Sequence, residues 1–210
     1  MALLMVLTWL VQQVNAQQRV SADKNVSFTT PDKAFGFSYP STFQLCTRGK
    51  IEPCIQSYIP VCDKDALVCV LYPAKHFRDT SFGAASFEVR EIFRKEEEMT
   101  PDVCVTPYPR KENGRISETP DFLVSAEHPV EVIGGVQFLH GVSGGVASSN
   151  SIGTDLYRAF HRKRCFELEV NQTGVDPNVY DPPIKTLAPV QQKKLDQTMS
   201  TILHSFRFSE

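Results

Sequence analysis

Asp155-Leu156-Tyr157-Arg158-Ala159-Phe160-His161, then Arg162-Lys163, then Arg164-Cys165-Phe166-Glu167-Leu168-Glu169-Val170: two alternating runs flank a two-residue break. Side chains of a β-strand point alternately to opposite faces. If His161 faces Arg164, Ala159 falls opposite Phe166 and Tyr157 opposite Leu168, all on one apolar side. The other side then sets Arg158 against Glu167, an opposite-charge cross-strand pair. A slip of one residue loses both features. The stretch predicts an antiparallel hairpin with one face on a core. Its weak point is the turn, because Arg162-Lys163 lacks the Gly or Asn that two-residue loops favour.

Residues 190–206 predict the main helix. Leu195, Met199, Ile202, Leu203 and Phe206 form one apolar stripe at helical spacing, with Lys193, Lys194 and Gln197 elsewhere. Pro189 lies just ahead, where a missing N–H costs little. Phe206 and Phe208 then alternate with Arg207 in a last short strand. Towards the N-terminus, residues 26–30 and 35–39 predict two short strands, broken by the turn sequence Pro31-Asp32-Lys33. Residues 66–72 (ALVCVLY) are an apolar run of strand length, covered on both faces. Residues 84–93 partly alternate, with Ala85, Phe87 and Val89 on one face and Ser86, Glu88 and Arg90 on the other. Residues 94–99 are charged and predict a short helix. Residues 106–121, with three prolines and Gly114, predict a long exposed loop. Residues 136–142 predict a strand, and residues 144–153, rich in Gly and Ser, a flexible stretch. Strands sheltered by a C-terminal helix make an α+β fold.

The opening Phe35-Gly36-Phe37-Ser38-Tyr39-Pro40-Ser41-Thr42-Phe43, the late hairpin, and the ending Ile202-Leu203-His204-Ser205-Phe206-Arg207-Phe208 together resemble the PsbP-like family. This is the fold of the extrinsic oxygen-evolving subunit of photosystem II and of many bacterial exported proteins. The resemblance implies an α/β/α sandwich with a central antiparallel sheet and a C-terminal helix. It implies no shared catalytic chemistry, and accessory roles: stabilising a larger assembly or binding a partner. The six cysteines are foreign to that pattern. No functional residue of the family matches a position here, so none is carried over.

The N-terminus points to export. Residues 2–11 (ALLMVLTWLV) are apolar but shorter than the ~20 residues a bilayer span needs. Val14-x-Ala16 suits signal peptidase, so residues 1–16 are expected to be a signal peptide cleaved after Ala16. A flexible leader, 17–25, would follow, then one domain over 26–210. Cys46, Cys54, Cys62, Cys69, Cys104 and Cys165 are an even number, as a disulfide framework in an oxidising compartment requires. Their spacing lacks the close pairs of a zinc site. The first four can satisfy one another in a pattern left open, which leaves Cys104 to pair with Cys165. The chain is expected to be extracytoplasmic, periplasmic or secreted, and bacterial. A net charge of −2 gives no field favouring nucleic acid or an anionic membrane. The expected partner is a protein or envelope component, with no nucleic acid and no membrane span after signal removal.

Candidate sites are few. Gly141-Val142-Ser143-Gly144-Gly145 fits the G-x-S-x-G elbow of serine hydrolases, which needs a strand turning sharply into a helix. Val146-Ala147-Ser148-Ser149-Asn150 does not read as a helix, so a flexible hairpin loop is expected. His76, His128, His140, His161 and His204 contain no pair at i, i+2 or i, i+4 for local chelation, although His140 and His161 can meet on neighbouring strands. No catalytic residue, metal ligand or cofactor is assigned. Arg158, His161, Arg162, Lys163 and Arg164 read as a solvated hairpin tip, and Glu96-Glu97-Glu98 as a solvated face. Asn25-Val26-Ser27 and Asn171-Gln172-Thr173 match glycosylation sequons, discounted for a bacterial chain. The expected function is non-enzymatic binding or assembly support outside the cytoplasm. The alternatives are a hydrolase using Ser143 and a purely structural secreted protein.

Overall fold

A computed structural model describes residues 24–50, 62–73, 77–94, 98–112, 115–147 and 149–209. The chain opens with β1 (Asn25–Thr29), β2 (Phe35–Pro40), β3 (Gln44–Thr47), β4 (Val68–Leu71) and β5 (Phe82–Ile92). The helix α1 (Pro101–Val105) follows, then β6 (Pro109–Glu112), β7 (Arg115–Pro120), β8 (Leu123–Val124) and β9 (Val130–Ile133). Three long strands come next: β10 (Val136–Ala147), β11 (Asn150–His161) and β12 (Arg164–Val175). The helix α2 (Pro189–Ser205) and β13 (Arg207–Phe208) complete the order.

The main sheet runs β3-β4-β5-β12-β11-β10, with β8 and β9 side by side along the outer edge of β10. All its pairings are antiparallel. The hairpin β11–β12 has the register that alternation requires: His161↔Arg164, Ala159↔Phe166, Arg158↔Glu167 and Tyr157↔Leu168. Its turn closes because Arg162 (φ 48°) and Lys163 (φ 64°) both adopt left-handed backbone, the geometry a two-residue loop matching strand twist demands.

One face of the sheet meets α2 and a second sheet, β1-β2-β13. Leu195, Met199, Ile202 and Leu203 of α2 are buried there with Phe35, Phe37, Phe87, Val89, Phe166 and Leu168. Tilted and edge-on rings fill the space, as in Phe37–Phe87 at 5.1 Å and Phe35–Phe166 at 6.0 Å. The short α1 lies on the opposite face, against β11 and β12, joined to β12 through Cys104 and Cys165. The fold is an α+β sandwich with helices on both sides of an antiparallel sheet and a helix near the C-terminus.

Four local expectations are corrected. Arg94, Glu98 and Met99 are irregular, and the helix begins at Pro101 instead. Thr100 caps it, its hydroxyl accepting from the Val103 N–H, and proline occupies a position where no N–H is needed. Residues 106–121 hold the hairpin β6–β7, pairing Pro109↔Pro120 and Glu112↔Arg115, because prolines at strand ends remove no inner ladder bond. The Gly- and Ser-rich residues 144–153 are ladder, not loop: β10 and β11 stay paired out to Ala147↔Asn150. Cross-strand partners, rather than local propensity, decide there. Asn25, placed in the leader, already opens β1. The signal peptide, Cys54, His76, Glu96 and Glu97 lie outside the described residues. No described helix is long and apolar enough to cross a membrane.

Candidate functional site

The face of the sheet turned away from α2 carries Ser86, Glu88 and Arg90 from β5, then Glu167, Glu169, Asn171 and Thr173 from β12, then Arg158 from β11. Alternation alone sends these side chains off the apolar core. The face is nevertheless covered: Glu167 is 0% exposed, Glu88 1% and Arg158 2%. Ladder pairs put Glu167 between Arg90 and Arg158, and Glu169 directly opposite Glu88.

Two guanidiniums hold the layer together. Arg158 donates from Nε to Glu167 at 2.5 Å and from Nη2 to Asp121. Its guanidinium lies over the Phe122 and Tyr108 rings, 4.5 and 5.2 Å from their centroids. Arg90 pairs with Glu167 and Glu169, and reaches Asp63 at 3.0 Å. The Asp63 N–H in turn donates to Glu88 at 2.8 Å. Thr154 donates to Asn171 at 2.6 Å, and Asn171 donates to Glu169 at 3.3 Å, so the polar row continues across the sheet.

Five carboxyls, Asp63, Glu88, Asp121, Glu167 and Glu169, thus share two guanidiniums. Burial raises the Glu169 pKa well above the usual carboxylate range; Arg90 pulls against it, and the neighbouring Glu167 and Glu88 add to the rise. Burial likewise raises Glu88, over the opposing attraction of Arg90. Burial also works against the charge on Glu167, but Arg90 and Arg158 outweigh it and hold that carboxyl below its usual value. Burial thus favours the neutral forms of Glu169 and Glu88, while the two guanidiniums favour the charged form of Glu167.

A carboxyl with a raised folded-state pKa contributes stability that is complete below its unfolded value, about 4.5, and lost as pH rises through the folded value. Glu169 and Glu88 accordingly weaken the fold as pH rises above ~5, whereas Glu167 weakens it on acidification below ~4.5. The Glu169→Gln variant keeps the shape without the ionisation. Its unfolding free energy should fall less steeply than that of the parent as pH rises above ~5, the difference approaching 1.4 kcal/mol per pH unit at most. Urea titrations at a series of pH values read this directly, and parallel profiles for the two proteins would refute it.

Sequence reasoning missed this layer. Ser86-x-Glu88-x-Arg90 and Glu167-x-Glu169 were visible as alternating polar positions, but a polar face reads as solvated unless something distant covers it.

The candidates named from sequence fall elsewhere. Ser143 sits mid-strand in β10, opposite Thr154, with β11 rather than a helix beyond it. A Cβ on Gly141 would lie 2.1 Å from a ring carbon of Phe122, so the first glycine of that motif makes room for an aromatic ring. The elbow geometry is not formed. Ser143→Ala is expected to leave the fold intact, and neither protein should label with a fluorophosphonate probe; labelling of the parent alone would revive the hydrolase.

His140 and His161 do not meet. His140 stacks on Tyr157 at 4.6 Å with Nε2 3.1 Å from Asp155, and His161 stacks on Phe208 at 4.0 Å. His204 reaches Glu131 at 2.7 Å, and His128 is exposed. Of the basic cluster, Arg158 is sealed inside and Arg164 pairs with Glu91 at 2.6 Å, leaving Arg162 and Lys163 as the solvated tip. Asn171 is buried in the polar row, so its sequon is closed in the folded protein, while Asn25 is exposed. Cys62 is bonded to Cys69 and Cys104 to Cys165; Cys46 is bonded as well. Among the described residues no cluster of His, Cys, Asp and Glu is arranged to hold a metal. A groove of about 320 Å³ runs between β1–β2 and α2, past Lys194, Thr198, Thr201 and Ser205. Its hydroxyls already donate to backbone carbonyls: Thr198 to Lys194, Thr201 to Gln197, and Ser205 to Ile202.

No family model matches the chain, and no curated protein matches it. Among solved structures it is similar to LpqN, involved in cell envelope biogenesis of Mycobacterium tuberculosis, at 10% identity. The match covers 89% of this chain and 91% of that one, with a TM-score of 0.39. It is similar also to cyanobacterial PsbP (CyanoP) from Synechocystis, at 10% identity over 93% of this chain and 99% of that one, with a TM-score of 0.36. CyanoP is a PsbP protein, the family that the sequence resembles. At these scores neither likeness carries a functional argument, and the reading that follows rests on the chain's own residues.

Proposed function

We propose that this chain works outside the cytoplasm as a non-enzymatic binding or assembly-accessory protein, engaging a protein or envelope component. The observation that carries this reading is a set of large apolar side chains left in water along the β8–β9–β10 edge of the main sheet, on both of its faces. Leu123 and Val124 of β8, Val130 and Val132 of β9, and Val142 and Val146 of β10 are all exposed. Apolar exposure concentrated along one edge marks interaction surfaces, because water contact with it is unfavourable. The bonded cysteines favour an oxidising compartment. The charge layer, the part of the molecule with the most perturbed titration, is engaged internally and ties β5, β11 and β12 together.

A photo-crosslinking residue placed at Val146, in cells expressing the full chain, tests the proposal. Recovery of one recurring envelope or secreted protein supports it. No recurring crosslinked partner would leave the purely structural alternative standing in its place.

A further inference from the structure

We infer that the outer edge of β9, continued by β8, is a docking strand for an extended, lysine- or arginine-rich segment of another protein, added as one more strand of the sheet. The inference rests on the binding role proposed above and names the chemistry of the partner.

Among the described residues β9 pairs with β10 alone, and β8 occupies the rest of that strand's outer edge. Residues 123–133 therefore form the rim of the main sheet. A rim strand presents unpaired N–H and C=O groups, and proteins usually blunt it with lysine, proline or a bulge. Here Pro129 precedes β9, yet no Lys or Arg occurs between residues 120 and 157 of a chain that has 22 of them. Val130 and Val132 are 52% and 59% exposed. The opposite rim contrasts with it: β3 carries Gln44 and Thr47, and runs into Arg48 and Lys50.

The carboxylates of the rim segment itself are Glu127 and Glu131, with Arg207 at the β9–β10 turn. Glu127 is exposed in the segment joining β8 to β9. Glu131, alternating with the two valines, meets His204 at 2.7 Å. A strand with apolar residues at every second position and cations between them would match this rim face by face: valine against valine, cation against carboxylate. The same carboxylates repel nucleic acid and anionic lipid, which leaves a basic protein segment as the occupant.

The probe is an acetylated, fluorescein-labelled peptide of alternating valine and lysine, titrated against the full chain by anisotropy. Binding that weakens with added salt is expected. Amide shifts in heteronuclear spectra should concentrate on residues 123–133. The double replacement Val130→Lys, Val132→Lys, at positions already in solvent, should weaken binding by about tenfold or more while circular dichroism stays unchanged. Three results would overturn the inference: equal binding of a valine–glutamate peptide, preferential binding of phosphatidylglycerol vesicles, or shifts centred elsewhere on the parent protein. The last needs no variant to fold. A protein crosslinked at Val146 without peptide binding at the rim removes the docking strand and spares the binding role; peptide binding at the rim without a cellular crosslink does the reverse.

Discussion

Arg158→Ala is expected to lower the unfolding free energy by about 3–5 kcal/mol, a large share of the 5–15 kcal/mol typical of a domain. The cost does not come from losing an attractive pair as such. It comes from leaving Glu167 and Asp121 in a covered layer with one guanidinium fewer, while Phe122 and Tyr108 lose the flat group that packs on their rings. Arg164→Ala is the control, since Arg164 is half-exposed and its pair with Glu91 should be worth about 1 kcal/mol or less. Urea unfolding of both variants, followed by circular dichroism, separates the cases. Equal and small losses would mean that the layer is hydrated and that its ion pairs behave as surface pairs.

The second large effect is expected from the double variant Cys104→Ala, Cys165→Ala. The bond joins residues 61 apart in sequence. In the chain-entropy treatment, closing a loop of that length stabilises by roughly 4 kcal/mol, because the unfolded chain loses freedom it would otherwise keep. The bond also tethers α1 and the small apolar cluster of Ile92, Met99, Val105, Tyr108 and Phe160 to the sheet. Cys62 and Cys69 are only 7 apart, so their removal should cost less, roughly 2–3 kcal/mol in the same treatment. Peptide mapping of the oxidised protein without reductant comes first. A Cys104 peptide linked to any cysteine but Cys165 would void the comparison, and equal losses from the two double variants would contradict the loop-length argument.

Hydrophobic alternation was enough to place the hairpin β11–β12 in register, since a one-residue slip would have exposed Tyr157, Ala159, Phe166 and Leu168 together. The helix was legible for the same reason: Leu195, Met199, Ile202 and Leu203 can share one side only at helical spacing. Two features were not legible, and both depend on partners far away in sequence. Gly144, Gly145 and Gly153 have the composition of a loop and became strand because β10 and β11 zip past them. Glu88, Arg90 and Glu167 have the pattern of a wet face and became interior. Their surroundings include Asp63 and Asp121, which no local window connects to them. β9 does alternate, as Val130-Glu131-Val132-Ile133 before Gly134-Gly135, but four residues cannot show by themselves that the edge they form is left unpaired.

The sheet order has a consequence for how the chain comes into being. β12 is made late, yet it lies between β5 and β11 in the middle of the sheet. Its bond network to β11 closes through two residues, whereas Arg90 must wait 77 residues for Glu167. Long waits of this kind slow folding, because the intervening loop must be ordered before any contact repays it. A chain emerging from a ribosome, N-terminus first, therefore holds β5 with a bare edge until nearly all of it has appeared, and α2 arrives later still. If it is exported as proposed, such a chain would reach a translocation pore still largely unfolded.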